Sequence, residues 1–478
     1  MTAAQWSAVT LACLPLAAAI GAFCRQRLGA ALSTASGLAM ITASLILAAG
    51  VVADGSVRHD LGGWGAPLGI TWHVDGFAAA MVLLTAIIGT GGSVYHAAHE
   101  AGEPHFWPLW LFLWAGLNVL FLSADLFNLY VALELMTLGA VALIALAGSH
   151  ALGAAWRYLL AMLLGSSLYL FGIALLYGRY GVLDLQLLGD ALAIDHATGV
   201  GVTLTTVGLL LKAGVFPLHF WLPKAHGRAP TSVSAALSAV VVGASYYLLV
   251  RLWFGPFSPY LDAWPATALG LLGALAILWG GVQALAQKRL KMLIAYSTVS
   301  QLGFGLLLFP LAGGAAPVLA WQGALAMMIA HSLAKAGLFL GAGCIIRVRQ
   351  HDRIADLGGS HTGLGLAWLA VALAAASLIG LPPTGGFTGK LWLLQSALQG
   401  QMWAWAAAIL AGTLLTAAYL LRVFDAASDR EADRRAPSAH LPAPMPWSAI
   451  ALAASAVGMG LAWPLLEALL GAGRAFGP

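Results

Sequence analysis

The sequence predicts an all-α polytopic membrane protein with about 14 transmembrane helices, and its composition and apolar stretches lead to this prediction. Of its 478 residues, 61% are hydrophobic and 8% are charged, and the mean hydropathy is +0.88. This composition is too apolar for a soluble globular protein. A span needs about 20 mostly apolar residues, and such stretches lie near 5–23, 29–52, 74–95, 107–123, 125–148, 154–178, 198–218, 231–254, 264–286, 291–311, 316–345, 366–396, 402–424 and 445–470.

The first three spans form a scaffold region, 1–105, with no ionisable residue deep inside an apolar run. The connection 54–73 is rich in glycine and contains Trp64 and Trp72. Because tryptophan concentrates at membrane–water interfaces, this connection is expected to be an interfacial hairpin with aromatic anchors. No chemistry is assigned to this region.

The next spans make up a first predicted repeat, 106–255, in which a glutamate lies at an unusual depth. Asp125 begins the fifth span, where a helix N-terminus favours a carboxylate. Glu134 follows nine residues later, which places it about 13 Å into a hydrocarbon layer about 30 Å thick. A carboxylate at this depth is either protonated and hydrogen-bonded to a neighbouring helix, or paired with a buried cation such as Lys212. Both interpretations stay open.

The stretch LLLKAGVFPLHFWLPKAHGRAPT, residues 209–231, combines a buried charge with a helix break. An ionisable side chain at the bilayer centre costs roughly 2.5–3.5 kcal/mol, so Lys212 is expected to have a function. Pro217 has no amide hydrogen and clashes with the carbonyl of Ala213, so the seventh helix should break one residue after Lys212. The freed carbonyl and the ammonium are expected to share one polar spot, because interrupted helices in transporters form ion sites.

Polar residues that follow the break are candidates for proton access and relay. They include three titratable residues in the segment that leaves the seventh helix: His219, Lys224 and His226. The eighth span has no charge on its polar face but carries hydroxyl groups: Ser238, Ser245 and Tyr246.

A second predicted repeat, 256–425, carries two further intramembrane lysines. His331 and Lys335 lie one turn apart on one helix face. They are either successive stations for a proton or a satisfied core histidine beside a snorkelling lysine. The motif GLPPTGGFTGK breaks the twelfth span just before Lys390, so each half has one interrupted span with one lysine, which indicates an internally repeated transporter fold. The remainder, 426–478, is a charged and proline-rich linker followed by helix 14.

The basic residues outside the spans predict the orientation of the chain, because positive side chains concentrate on the cytoplasmic side of a membrane. Most lie in connections after odd-numbered spans: Arg25, Arg27, Arg157, Lys224, Arg228, Lys288, Arg289, Lys291, Arg347, Arg349, Arg353, Arg422, Arg430, Arg434 and Arg435. The other connections carry Arg58, Arg179, Arg251 and Arg474. The protein is therefore expected in a cell inner membrane, with both termini on the outer, periplasmic side.

The residue inventory argues against a subunit that is catalytic by itself. Cys13, Cys24 and Cys344 have no spacing typical of a metal or redox centre, and they are expected to be small buried hydrophobic residues. The sequence has no nucleotide-binding glycine loop between a strand and a helix, and no nucleophile elbow. We therefore expect no cofactor, no metal site and no nucleic-acid partner. Membership in a larger proton-translocating oxidoreductase stays open.

Five motifs together resemble the antiporter-like subunits shared by respiratory complex I, Mrp-type cation/proton antiporters and membrane-bound group 4 hydrogenases. They are NLYVALELM, LLLKAGVFPLHFWLPKAHGRAP, KRLKMLIAYSTVSQLG, AHSLAKAGLFL and GLPPTGGFTGK, and the resemblance covers about residues 70–425. It implies about 14 helices with two inverted five-helix repeats, broken helices 7 and 12, and a row of buried charges along the membrane plane. It assigns Glu134 and Lys212 to the first half, His331 and Lys335 to the central relay, and Lys390 to the outlet.

One position departs from the pattern of that family. Most relatives carry a lysine, or a histidine slightly earlier, in the eighth helix, whereas SAVVVGASYY has Gly243 at the lysine position. Water held by Ser238, Ser245 and Tyr246 is one way to connect the two halves. The other possibilities are uncoupled halves or a different role for the subunit. The short stretch after helix 14 is typical of medium-length subunits of the Mrp D or hydrogenase type.

The predicted function is that of a proton-translocating subunit of a multi-subunit Na⁺/proton antiporter or redox-driven ion pump. A proton is taken up near Lys224 and His226, loads Lys212, passes toward the His331 pair and leaves through Lys390. The expected partners are other membrane subunits, the lipid bilayer, protons and Na⁺. The alternative is a membrane partner that couples a proton path to a soluble enzyme of the inorganic-carbon-uptake type.

Overall fold

The computed structural model of the protein describes residues 1–99, 105–358, 363–428 and 440–473. In these residues, 11 helices are long and apolar enough to cross a membrane, and two shorter apolar helices, Phe106–Leu122 and Gly365–Ile379, accompany them. The prediction of a helical polytopic membrane protein is confirmed. The linker predicted after 425 falls largely on 429–439, which lie outside the described residues.

Each predicted span corresponds to a helix or to a chain of helical segments. The first part of the chain contains α1 (Ala3–Cys24), α2 (Gly29–Asp54), α3 (Gly76–Ala97), α4 (Phe106–Leu122), α5 (Leu126–Ala145), α6 (Ser149–Tyr180), α7 (Leu185–Ala191), α8 (His196–Ala213), α9 (Leu222–Arg228), α10 (Thr231–Ala236) and α11 (Val242–Trp253). The second part contains α12 (Ala263–Ala286), α13 (Leu290–Leu306), α14 (Leu308–Ala312), α15 (Pro317–Arg349), α16 (Gly365–Ile379), α17 (Gly385–Gln399), α18 (Trp403–Ser428), α19 (Pro444–Leu461) and α20 (Trp463–Gly471).

Several spans differ from their predicted outlines, and two of them lie near the end of the chain. Helix α18 continues to Ser428, beyond the predicted end at 424. The last span is divided at Ala462, between α19 and α20, where Pro464 in the first turn of α20 cannot donate a backbone hydrogen bond to the preceding helix. The region boundaries at 105, 255 and 425 and the inverted relation of the two repeats stay predictions.

The connection between α2 and α3 is the predicted hairpin. Strands β1 (Val57–Asp60) and β2 (Thr71–Val74) pair in antiparallel register, with Val57 opposite Val74. Trp64 at the tip is 65% exposed, whereas Trp72 is buried. Of the two tryptophans, Trp64 therefore has the position expected of an interfacial anchor.

Both predicted helix breaks are present. Helix α8 ends at Ala213, one residue after Lys212, and Gly214 follows with a φ of 69°. Helix α16 ends at Ile379, and Gly380 follows with a φ of 89°. Glycine adopts this left-handed conformation easily because it has no Cβ atom. Each break leaves C-terminal backbone carbonyls of a helix inside the protein, where a side chain can bind them.

The eighth span contains a feature that the sequence did not predict. A π-helical turn, Leu237–Val241, lies between α10 and α11, and every residue from Ser232 to Trp253 is buried. The hydroxyl of Ser332 on α15 donates a hydrogen bond of 2.7 Å to the carbonyl of Ala239 in this turn. Such turns occur mostly as single insertions into α-helices and frequently at functional sites. This turn directly precedes Gly243.

A buried ion pair joins the third span to the end of the eighth. Asp75 caps α3 by accepting a hydrogen bond from the amide of Ala78 at 3.0 Å. Its other carboxylate oxygen pairs with Arg251 on α11, and both side chains are almost completely buried. Removing one partner of such a pair costs about 3–5 kcal/mol. Arg251, which the sequence analysis counted among the connections, therefore lies inside the protein.

Candidate functional site

Lys212 is buried at the end of α8 and points toward α5. Its Nζ atom donates a hydrogen bond to the hydroxyl of Thr137 at 3.2 Å and lies 3.8 Å from Oε1 of Glu134. The sequence analysis expected the ammonium to share a polar spot with the carbonyl of Ala213, and the structure places it elsewhere. At the end of α8, the indole of Trp221 donates a hydrogen bond of 3.0 Å to the carbonyl oxygen of Leu211.

Close packing of α6 against α8 makes room for Lys212. A Cβ atom at Gly165 would lie 2.9 Å from Cγ of Lys212 and 3.0 Å from the carbonyl oxygen of Gly208. A larger residue at 165 would therefore displace the lysine stem. The small residues of α6 thus form the surface against which α8 packs.

The side chain of Glu134 is more exposed than the side chain of Lys212. Its side chain is 22% exposed, whereas the side chain of Lys212 is fully buried. Its Oε1 atom has no hydrogen-bond partner within the described residues. The structure therefore brings the two charges together, as the paired interpretation requires, but leaves the carboxylate at the edge of the protein.

Lys335 occupies a different environment on α15. It is fully buried, and its Nζ atom donates to the carbonyl of Ile294 at 2.9 Å and to the hydroxyl of Ser297. No carboxylate of the described chain lies within ion-pair distance of it. The ammonium group points into the helix bundle, so the interpretation as a snorkelling lysine does not apply.

His331 lies one turn before Lys335 and next to a small cavity. Its ring approaches the backbone of Ser238 without a well-formed hydrogen bond, and both ring nitrogens are buried. The cavity has a volume of about 20 Å³ and is lined by Gly243, Tyr246, Gln301, Leu302, Gly305, Met327, Met328, His331 and Ser332. This space accommodates about one water molecule.

The three hydroxyl residues of the eighth span do not act as one group. The Ser238 hydroxyl shares a hydrogen bond of 2.7 Å with Thr298. The Ser245 hydroxyl is buried without a partner in the described part of the chain. Tyr246 donates to the carbonyl of Gly305 at 2.8 Å, and of the three it is the residue that lines the cavity beside Gly243.

Lys390 has the arrangement that the sequence analysis expected of Lys212. Its Nζ atom donates to the carbonyls of Leu378 and Ile379 at 2.7 Å and 3.1 Å, in the last turn of α16. The ammonium also lies over the ring of Phe304, 4.7 Å from the ring centre. The second helix break therefore binds its lysine through freed carbonyls, whereas the first uses a carboxylate and a hydroxyl.

A large cavity opens on the face that carries most basic residues. Its volume is about 1160 Å³, and its lining includes Tyr95, His96, His99, His150, Arg228, Ser232, Arg289, Lys291, Arg347, His351, Asp352, Arg353 and His440. We call it the basic vestibule. Lys291 donates to the carbonyl of Ala229 at 2.7 Å. The opposite face has its own cavity of about 560 Å³, which includes Arg58 and His73.

The three candidate access residues lie in three different environments. His226 is fully buried directly before the vestibule residues Gly227 and Arg228, and its ring stacks on Phe339 of α15. Lys335 and Lys291 act on it electrostatically. Lys224 is exposed, and His219 is partly buried beside the ring of Phe216.

Sequence reasoning missed four polar residues that contact or adjoin the buried lysines. Thr137 and Ser297 are direct hydrogen-bond partners of Lys212 and Lys335. Gln301 and Tyr419 extend the polar surface beyond Ser297. Ser297 and Gln301 are four residues apart within AYSTVSQLG, and this spacing on one helix face was the available signal. Residues 1–99, 105–358, 363–428 and 440–473 contain no cluster of three or more His, Cys, Asp or Glu residues suited to a metal ion.

Comparisons with known proteins identify the relatives of this chain. Residues 123–416 match the family described as NADH:quinone oxidoreductase/Mrp antiporter, TM. The chain is 35% identical over 410 residues to NADH-quinone oxidoreductase subunit N of Desulforudis audaxviator, which covers 81% of this chain and 80% of that protein. It is 31% identical over 393 residues to the D subunit of the Na(+)/H(+) antiporter of Alkalihalophilus pseudofirmus, with 80% and 78% covered.

Solved structures show the same fold. A chain of the Mrp complex from Dietzia sp. DQ12-45-1b superimposes with a TM-score of 0.89 at 25% identity, covering 98% of this chain and 97% of that chain. A chain of the membrane-bound sulfane sulfur reductase, an archaeal respiratory membrane complex, superimposes with a TM-score of 0.86 at 24% identity and so supports the fold alone. This multi-pass membrane protein therefore belongs to the NADH:quinone oxidoreductase/Mrp antiporter transmembrane family.

Proposed function

We propose that the chain is the proton-translocating subunit of a multi-subunit membrane complex, either a cation/proton antiporter or a redox-driven ion pump. The relatives named above are subunits of an Na(+)/H(+) antiporter and of NADH-quinone oxidoreductase. The observation that carries the proposal is a series of three buried lysines, each with hydrogen-bond acceptors inside the membrane-spanning region: Lys212, Lys335 and Lys390.

Glu134 is proposed to control the charge on Lys212. A carboxylate drawn toward the lysine stabilises the ammonium, and a carboxylate drawn away lets the amine release its proton. The 22% exposure of the Glu134 side chain supports this role, because a charged group on a neighbouring subunit can reach the carboxylate from outside. His331, Lys335 and Lys390 then relay the proton toward the outlet.

Uptake is proposed to occur through the basic vestibule and His226. Two routes lead from there: one toward Lys212, as the sequence analysis expected, and one directly to Lys335. The contact of His226 with Phe339 on α15 and its proximity to Lys335 support the second route. Lys224 and His219 are proposed as residues of the first route.

The proposed location is the inner membrane of a bacterial cell, with the basic vestibule on the cytoplasmic side and both termini on the outer side. Arg228, Arg289, Lys291, Arg347 and Arg353 line the vestibule and support this orientation. The proposed partners are the other membrane subunits of the parent complex, with protons and Na⁺ as transported ions. The relatives do not favour the alternative of a membrane partner for a soluble enzyme.

The experiment that tests the proposal starts from the complex purified through a tag on this chain and reconstituted in liposomes. Lys212→Ala and Lys335→Ala are each expected to abolish ion-coupled proton uptake, while the co-purifying subunits remain in mass spectra. Lys288→Ala is the matched control, because Lys288 is an exposed lysine at the start of a helix. Unaltered proton uptake in both buried-lysine variants would refute the proposal. The identity of the co-purifying subunits distinguishes an antiporter from a redox-driven pump.

A further inference from the structure

A buried polar cluster connects α13 with α18 beyond Lys335. Gln301 donates from Nε2 to the hydroxyl of Thr416 at 3.2 Å, and Thr416 donates to the carbonyl of Gly412 at 2.7 Å. The hydroxyl of Tyr419 faces Thr416, Gln301 and Ser297 without a well-formed hydrogen bond to any of them. Ser297, Gln301, Thr416 and Tyr419 are all buried. We call these four residues the α13–α18 cluster.

The cluster contacts one buried lysine, Lys335, and shares helix α13 with a residue that contacts a second, Lys390. At one end, the hydroxyl of Ser297 is a hydrogen-bond partner of the Lys335 ammonium. On the same helix, Phe304 follows Gln301 by three residues and places its ring under the Lys390 ammonium. Gln301 also lines the cavity of about 20 Å³ that His331 borders. Gln301 therefore touches the space beside His331 and also the side chains from α18.

Two atoms of the cluster are buried without a hydrogen-bond partner in the described residues: Oε1 of Gln301 and the hydroxyl oxygen of Tyr419. Such atoms are few in native proteins and call for a specific explanation. A phenylalanine at 419 would fill the same space without an unsatisfied hydroxyl. The hydroxyl of Tyr419 is thus unfavourable for packing, but it is suitably placed to exchange protons with a water molecule or with Ser297.

We propose that Tyr419 is a relay residue, positioned by Gln301 and Thr416, whose hydroxyl transfers protons between Lys335 and Lys390. This inference rests on the proposed function. It adds a second proton path, through Tyr419 on α18, to the path through His331 and Lys335 on α15. The cavity between His331 and Gln301 adjoins the cluster at Gln301 and has room for about one water molecule there.

Each transfer along this second path conserves protons and charge. The Lys335 ammonium gives one proton to the Ser297 oxygen, and Ser297 passes its own proton to the oxygen of Tyr419. Tyr419 in turn gives up its original hydroxyl proton to a water molecule, which passes a proton to the neutral amine of Lys390. At the end Lys335 is neutral, Lys390 is an ammonium ion, and both hydroxyls are again neutral. Gln301 orients Tyr419 and carries no proton, because an amide is a poor proton acceptor.

The test replaces Tyr419 by phenylalanine in the reconstituted complex. The expected result is a fall in the initial rate of proton uptake by about tenfold or more, the scale of a positioned proton-transfer group, with an unchanged or slightly raised melting temperature. Tyr169→Phe is the matched control. Tyr169 is also fully buried, but its hydroxyl donates to the carbonyl of Leu126, outside the second half. This control should lose some stability and keep its transport rate.

A second readout separates a relay from a merely structural role. If the hydroxyl transfers protons, the ratio of rates in H₂O and D₂O should rise in Tyr419→Phe relative to the wild type, because proton transfer then limits the rate. Gln301→Met, which keeps the volume and removes the hydrogen bonds, should lower the rate with Tyr419 intact. The inference is overturned if Tyr419→Phe and Gln301→Met both keep the wild-type rate and isotope ratio. It is also overturned if Tyr169→Phe loses as much transport as Tyr419→Phe. If Tyr419→Phe does not assemble into the complex, the proton-uptake rate of Gln301→Met decides between a relay role and a structural role.

Failure of this inference is distinguishable from failure of the proposed function. Lys335→Ala serves in the same assay as the reference. Loss of transport in Lys335→Ala with normal transport in Tyr419→Phe leaves the proposed function standing and removes the relay role of Tyr419. Normal transport in Lys335→Ala removes the relay role of Tyr419, and normal transport in both Lys335→Ala and Lys212→Ala removes the proposed function as well.

Discussion

Replacing Glu134 by glutamine tests whether a carboxylate holds the charge of Lys212. The Nζ atom of Lys212 and Oε1 of Glu134 are 3.8 Å apart. At an effective dielectric constant of about 20, two unit charges at this distance attract each other by about 4 kcal/mol. The side chain of Glu134 is 22% exposed, so water weakens this attraction, and we expect about 2 kcal/mol. The hydrogen bond from Lys212 to Thr137 has a charged donor and contributes about 1.5–3 kcal/mol, so the two contacts are comparable in strength.

An interaction of about 2 kcal/mol changes an equilibrium by roughly 30-fold. Glu134→Gln is therefore expected to lower the rate of proton uptake by about that factor, and Lys212→Met should lower it below detection. Glu134→Gln also leaves a buried ammonium without a counter-charge, so its melting temperature should fall. The double variant Glu134→Gln/Lys212→Met should recover part of this loss, because no unpaired charge remains buried.

The assay combines proton uptake by reconstituted liposomes with thermal unfolding of the purified complex, for the wild type, both single variants and the double variant. Thr137→Ser is the control, because it keeps the hydroxyl that Lys212 binds. A wild-type transport rate in Glu134→Gln, together with purely additive changes in melting temperature, would refute the pairing argument.

Two further predictions concern Gly243 and His73. A Cβ atom at Gly243 would come no closer than 4.0 Å to Met81 and Ser332, whereas one at Gly305 would meet the ring of Tyr246 at 2.8 Å. Gly243→Leu should therefore fill the neighbouring cavity and slow proton uptake severalfold with little loss of stability. Gly305→Ala should mainly lower the melting temperature. Equal melting temperatures of these two variants would contradict this prediction. Burial and the nearby Arg251 guanidinium lower the pKa of His73, so the unfolded chain binds its proton first as the pH falls. The contribution of His73 to the free energy of unfolding is therefore fully present above the unfolded pKa of about 6.5, and it is lost as the pH falls below that value. Melting temperatures measured from acid to neutral pH should show a shallower decrease in His73→Gln, and identical curves would contradict the assignment.

The membrane class, the spans and the positions of the buried lysines could be predicted from the amino-acid sequence. This was possible because the physical causes are local along the chain. An apolar run of about 20 residues must be helical in lipid, where its backbone groups have no water to bind. A proline ends a helix a few residues earlier by removing a hydrogen bond and clashing with a carbonyl. These rules predicted the end of α8 next to Lys212 and the interruption before Lys390.

The tertiary structure alone decided what each lysine binds. Both breaks leave carbonyls next to a lysine, yet Lys390 binds them and Lys212 binds Thr137, a residue 75 positions away. The link from Gln301 to Thr416 spans 115 positions. Such contacts depend on which helix faces pack together, and apolar helices without a polar stripe do not encode their facing sides. The cavity beside Gly243 is likewise lined by residues of α11, α13 and α15 together, whereas a glycine in a sequence indicates only the absence of a side chain.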